Sequence, residues 1–133
     1  AGITPYELGA LDNQQKPYSL GVRSNGSYYM LRDEPVLCFN LGKVDCVDVS
    51  RLTLTSLTLY GQIYGSSIVV RIYDQAARTW DTINSPGLPM TLKEENLGRY
   101  MDAQGNVFLR VSQQGGRDGE LDTPALAFEG RMN

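Results

Sequence analysis

The sequence contains no histidine. That excludes Ser-His-Asp and Cys-His catalytic arrangements, imidazole ligation of metals and histidine-based pH switching. It has only two cysteines, Cys38 and Cys46, too few for an all-cysteine zinc site or a four-cysteine iron–sulfur cluster. No apolar run approaches the roughly 18 residues needed to cross a bilayer as a helix, so membrane insertion is not expected. Nor is there a basic excess: 12 Lys+Arg stand against 15 Asp+Glu, a net charge of −3. A nucleic-acid partner is therefore not expected, since such proteins normally carry a basic patch or stripe. No basic segment followed by an apolar one opens the chain. A start at Ala1-Gly2 fits a mature product after signal removal, and equally an excised piece.

What is present is period-two patterning over 133 residues, enough for one domain with its own core. Ser67 to Tyr73 puts Ile68, Val70 and Ile72 on one face, and Asn106 to Val111 does the same with Val107, Leu109 and Val111. Thr123 to Glu129 sets Leu126 and Phe128 on one side. Leucines at 52, 54, 57 and 59 break alternation between 54 and 57, and a β-bulge would restore the inward phase. Tyr18–Arg23 and Ser27–Arg32 flank Asn25-Gly26, a strong hairpin signal. Val36–Leu41 and Val44–Val49 flank a turn at Gly42. Only Leu92 to Met101 suits a helical turn or two. The expectation is an all-β antiparallel sandwich over residues 18–133, preceded by an extended arm at 1–17.

If the chain turns at Gly42, Cys38 falls opposite Cys46, and a cross-strand disulfide is geometrically feasible; two buried thiols are the alternative. A bridge would point to an oxidising, extracellular setting. Asn25-Gly26-Ser27 also matches the N-glycosylation acceptor pattern, in residues already explained by a turn.

Catalysis finds little support. The acidic pairs Asp33/Glu34, Asp45/Asp48, Glu94/Glu95 and Glu120/Asp122 sit in no distinctive frame. Glycosidases need two carboxyls facing one cleft at about 5 or 6.5–9.5 Å. There is no Gly-x-Ser-x-Gly elbow and no glycine-rich phosphate loop before a helix. The domain is expected not to be an enzyme and to need no cofactor. Asp102 to Asn106 offers oxygen ligands of the kind calcium takes, but lacks the spaced acids of an EF-hand. A tight turn explains it, and a structural calcium at the sandwich edge stays open. Eight tyrosines and one tryptophan are material for stacking on sugar rings. Tyr60, Tyr64, Tyr73 and Trp80 are the candidate ligand-binding residues, with a core position the alternative for Trp80.

From Arg71 onward a longer pattern emerges: Ile72-Tyr73-Asp74, Thr79-Trp80-Asp81-Thr82-Ile83, and Tyr100-Met101-Asp102 with Gly105-Asn106-Val107. Leu109-Arg110-Val111-Ser112 follows, with a closing strand at Leu126 to Phe128. This resembles the jelly-roll β-sandwich modules appended to secreted and cell-surface proteins of bacteria and archaea. The resemblance implies a jelly-roll-like fold, an extracellular or cell-surface location and a noncatalytic role in binding carbohydrate or another surface ligand. Its motifs are packing and turn positions, so it carries over no ligand residue. The alternative expectation is a structural subunit of a surface layer or extracellular fibre. It would self-assemble by strand addition through Ala1 to Pro17, where Pro5 and Pro17 bracket a few apolar residues.

Overall fold

The computed structural model describes residues 4–8, 18–20, 28–43, 47–84, 87–115 and 117–132. The described residues form ten strands: β1 (Thr4–Leu8), β2 (Tyr18–Leu20), β3 (Tyr28–Met30), β4 (Val36–Asn40) and β5 (Leu52–Tyr64), then β6 (Ile68–Asp74), β7 (Thr79–Ile83), β8 (Met90–Leu92), β9 (Asn106–Gln113) and β10 (Glu120–Met132). Short 3-10 turns at Leu31–Asp33, Leu41–Lys43, Val49–Arg51 and Leu97–Tyr100 are the remaining regular elements among the described residues. No helix there is long and apolar enough to cross a membrane.

The strands make two antiparallel sheets of five. The first runs β1-β10-β5-β8, with β3 also paired to β10; the second runs β2-β4-β9-β6-β7. The alternating apolar residues face each other between the sheets. Leu57, Leu59, Leu126 and Phe128 from the first meet Leu37, Phe39, Val107 and Leu109 from the second, all under 4% exposed. Burying each such side chain contributes about 1.5–3 kcal/mol. The chain is a β-sandwich, as its periodicity implied.

The expected bulge falls at Thr55. Ser56 lies opposite Glu129 and Leu54 opposite Gly130, so Thr55 is the extra residue and both Leu54 and Leu57 point inward. Gly130 is required there, because a Cβ would lie 2.7 Å from the carbonyl oxygen of Thr53. A second irregularity sits in β10. Thr123 and Pro124 stand against Gly61 alone, with Thr123 at φ 47°. Proline is tolerated in a sheet at such a bulge.

Two expectations are corrected. The described residues flanking Asn25-Gly26 join different sheets: β2 pairs with β4 in the second and β3 with β10 in the first. Asn25 itself lies outside the described residues. The segments flanking Gly42 do not pair either. Both sides of β4 are occupied, with Tyr18 and Phe108 opposite Cys38, and Val49–Arg51 forms a 3-10 turn. Asp48 caps that turn, its Oδ1 accepting the Ser50 N–H at 3.1 Å. Cys38 is buried, with Sγ 3.5 Å from Asn106 Oδ1; Cys46 lies outside the described residues, and with it the expected disulfide. Of the arm at 1–17, the structure describes residues 4–8. Thr4–Leu8 pairs with β10 from Thr4 opposite Met132 to Leu8 opposite Phe128. The pairing satisfies the edge of β10 that β3 leaves uncovered.

Candidate functional site: two decorated sheet faces

The four aromatic candidates do not converge. Tyr60 and Tyr64 lie on the outer face of the first sheet, Tyr73 and Trp80 on the outer face of the second. The cause is the Gly65-Ser66 turn, which carries the chain from β5 in one sheet to β6 in the other.

On the first face, β5 alternates Tyr60, Gln62 and Tyr64 outward, with Ile63 packed against the core. Tyr60 and Tyr64 are 41% and 51% exposed, the exposed large apolar side chains among the described residues. Four residues of strand set their Cα atoms roughly 13 Å apart. The Tyr64 hydroxyl donates to Gln62 Oε1 at 2.5 Å, which orients the ring along the strand. Glu120 lies opposite Tyr64 on one side and Met30 on the other; Asp122 lies between Gln62 and Tyr28. Beyond the end of β8, a cleft of about 540 Å³ opens beside this strand, lined by Gly61–Tyr64, Ser66–Ile68 and Leu88.

The neighbouring Asp122 carboxyl raises the Glu120 pKa above the ordinary glutamate value. Asp122 Oδ1 is buried with no hydrogen-bond partner. A raised folded-state pKa means that folding takes up a proton here. The associated stability is complete below the ordinary Glu range and is lost as pH rises through the raised value. Glu120→Gln is therefore expected to melt above the parent at about pH 7, with the difference shrinking below about pH 4. Melting temperatures of both proteins across this range check it; a difference that does not vary with pH would contradict it.

On the second face, Tyr73 and Trp80 are cross-strand partners, their ring centroids 5.1 Å apart at an interplanar angle of 63°. Trp80 is half-buried at the edge of this sheet rather than in the core. The guanidinium carbon of Arg110 sits 4.9 Å from the centre of the Trp80 ring, within cation–π range.

A third cluster went unseen in the sequence. Arg99, in the Leu97–Tyr100 turn, reaches Asp74 at the end of β6 (Nε to Oδ2, 3.3 Å) and Glu94, and donates through Nη1 to the Asn96 carbonyl at 2.7 Å. It also donates to the Tyr100 hydroxyl at 2.6 Å, which donates onward to Asp81 Oδ2 at 2.9 Å. Burial and the bond to Asp81 push the Tyr100 pKa up to about 12. Every nitrogen of this arginine is engaged within the protein, so the cluster fastens the turn to β6 and β7. Glu94 thus belongs to an internal ion pair.

The Asp102–Asn106 segment is a turn whose carboxylate serves its own backbone. Asp102 Oδ1 accepts the N–H groups of Gln104 and Asn106 at 2.9 and 2.8 Å, and Gly105 takes φ +90°. Among the described residues, no three Asp, Glu or Cys side chains gather as metal ligands would.

Two antiparallel sheets packed face to face define an all-β sandwich. The family described as a domain of unknown function (DUF8815) matches residues 7–130, and the chain belongs to that family. No curated protein matches it.

Proposed function

We propose that this domain is a noncatalytic module that binds carbohydrate outside the cell or at its surface, through the outer face of β5 and β10. The observation that carries the reading is the pair Tyr60 and Tyr64, exposed on one face of one strand with Gln62 between them. Flat rings take the CH faces of sugars, and Gln62, Glu120 and Asp122 meet the hydroxyls. A noncatalytic role is supported by the sequence, which holds no histidine for a catalytic triad. Jelly-roll topology is supported by the strand order: of the connections from β3 to β10, each except β6–β7 passes from one sheet to the other. Assembly by strand addition has less support, since Thr4–Leu8 already pairs with β10 of its own chain.

Pull-down with a panel of insoluble polysaccharides, followed by titration with fragments of the one retained, tests the proposal. Tyr60→Ala combined with Tyr64→Ala is expected to weaken binding at least about tenfold, or roughly 1.4 kcal/mol, with little change in melting temperature. A protein that binds none of the panel, or a double variant that binds as well as the parent, would overturn it.

A further inference from the structure

On the face opposite the proposed carbohydrate platform, Arg71 of β6 and Arg110 of β9 are direct cross-strand partners on the two neighbouring inner strands of their sheet. Like charges directly opposite each other destabilise a sheet, and proteins ordinarily answer them with carboxylates. In this chain acids outnumber bases, yet among the described residues no carboxylate lies within ion-pair distance of either arginine. Arg32 and Arg99 show the usual arrangement, paired with Asp118 and with Asp74 and Glu94.

Both guanidinium groups are held in place by uncharged neighbours. Arg110 lies against the Trp80 ring, and Arg71 Nη1 is 3.4 Å from Ser112 Oγ. Arg110 Nε is buried with no hydrogen-bond partner, so a donor is set aside with nothing in the protein to receive it. Both side chains are half-buried, and their other cross-strand neighbours are Val36 beside Arg110 and, on β7, Thr82 beside Arg71. We infer that Arg71 and Arg110 form a second binding site, one that takes an oxyanion group, carboxylate or sulfate, carried by an extracellular ligand. Planar guanidinium forks match the oxygens of such groups. An anion bound at these guanidinium groups offsets the repulsion between the two like charges. The site stands on its own residues and does not depend on the Tyr60–Tyr64 reading.

The single tryptophan of the chain lies under Arg110, so intrinsic fluorescence reports on this site. Four ligands are titrated against the full chain: a uronate oligosaccharide, a sulfated oligosaccharide, a neutral oligosaccharide and inorganic sulfate. The expected result is a saturable change in Trp80 emission with at least one of the two anionic oligosaccharides, weakened by added salt and absent with the neutral one. Which of the two binds more tightly separates carboxylate from sulfate. Arg110→Gln and Arg71→Gln should each weaken that binding at least tenfold without lowering the melting temperature, since each removes one of two opposed like charges. Arg71→Lys, which keeps the charge but not the fork, should weaken it less than Arg71→Gln. The Tyr60→Ala/Tyr64→Ala variant should bind the anion as the parent does, which keeps failure of this site distinct from failure of the other. Equal binding of neutral and anionic oligosaccharides, no binding of either anionic one, or full affinity in both glutamine variants would overturn the inference.

Discussion

Asp74→Ala is expected to lower the unfolding free energy by about 2–5 kcal/mol, since it leaves several buried donors without their acceptor. Asp74 is 6% exposed at the end of β6, where the chain turns towards β7. Its Oδ1 accepts the N–H groups of Ala76 and Ala77, each at 2.9 Å, and Oδ2 faces Arg99 Nε at 3.3 Å. Alanine leaves two amide donors and the Arg99 Nε without their acceptor, while Glu94 and the Asn96 carbonyl still hold the other guanidinium nitrogens; each unsatisfied buried group costs about 1–3 kcal/mol. Asp74→Asn keeps an acceptor for the amides and loses the charge, so it should fall between parent and alanine variant. Urea unfolding of the three proteins measures this. A loss below about 1 kcal/mol for the alanine variant, the scale of an exposed pair, would show that the Arg99 cluster does not hold the turn.

Phe128→Ala should be comparably severe, at about 3–5 kcal/mol. Phe128 is 1% exposed in the middle of β10, between Leu8 of β1 and Leu57 of β5. The cavity opens in a layer closed on both sides by sheets that cannot collapse into it without shifting whole strands. Against a total of about 5–15 kcal/mol for a typical domain, either change consumes a large share of the stability. Tyr60→Ala on the exposed face should change it by roughly 0.5 kcal/mol or less. The same urea experiment separates the two classes. A Phe128 variant as stable as the Tyr60 variant would contradict the assignment of inner and outer faces.

Those faces were legible in the sequence because alternation is a local property. Ile68, Val70 and Ile72 declare their side of β6 without reference to any neighbour, and the one extra residue between Leu54 and Leu57 declares the bulge at Thr55. Strand partners were not legible. Asn25-Gly26 advertises a two-residue hairpin, yet β2 and β3 join different sheets, and no local signal reports that competition. Tyr60, Tyr64, Tyr73 and Trp80 share a stretch of sequence but not a surface, since one turn at Gly65-Ser66 changes sheets. The opposition of Arg71 and Arg110 appears only once β6 is known to lie beside β9. The Arg99 cluster is likewise built from three separate segments, with nothing in the spacing of residues 74, 81, 94 and 99 to announce it.

The position of β10 also sets the order in which the domain can be made. It pairs with β1, β3 and β5 and so lies at the centre of the first sheet, although its residues leave the ribosome after those of every other described strand. Until residues 120–132 emerge, the strands that will flank β10 hold unpaired backbone towards the place it will occupy. Pairing β1 with β10 then joins opposite ends of the sequence, the kind of distant contact that places all-β domains among the slower folders, in the millisecond-to-second range. In that interval the open edges of β1 and β5 are the ones a neighbouring nascent chain can meet. Arrival of the final strand therefore ends the period in which this chain is most prone to aggregate.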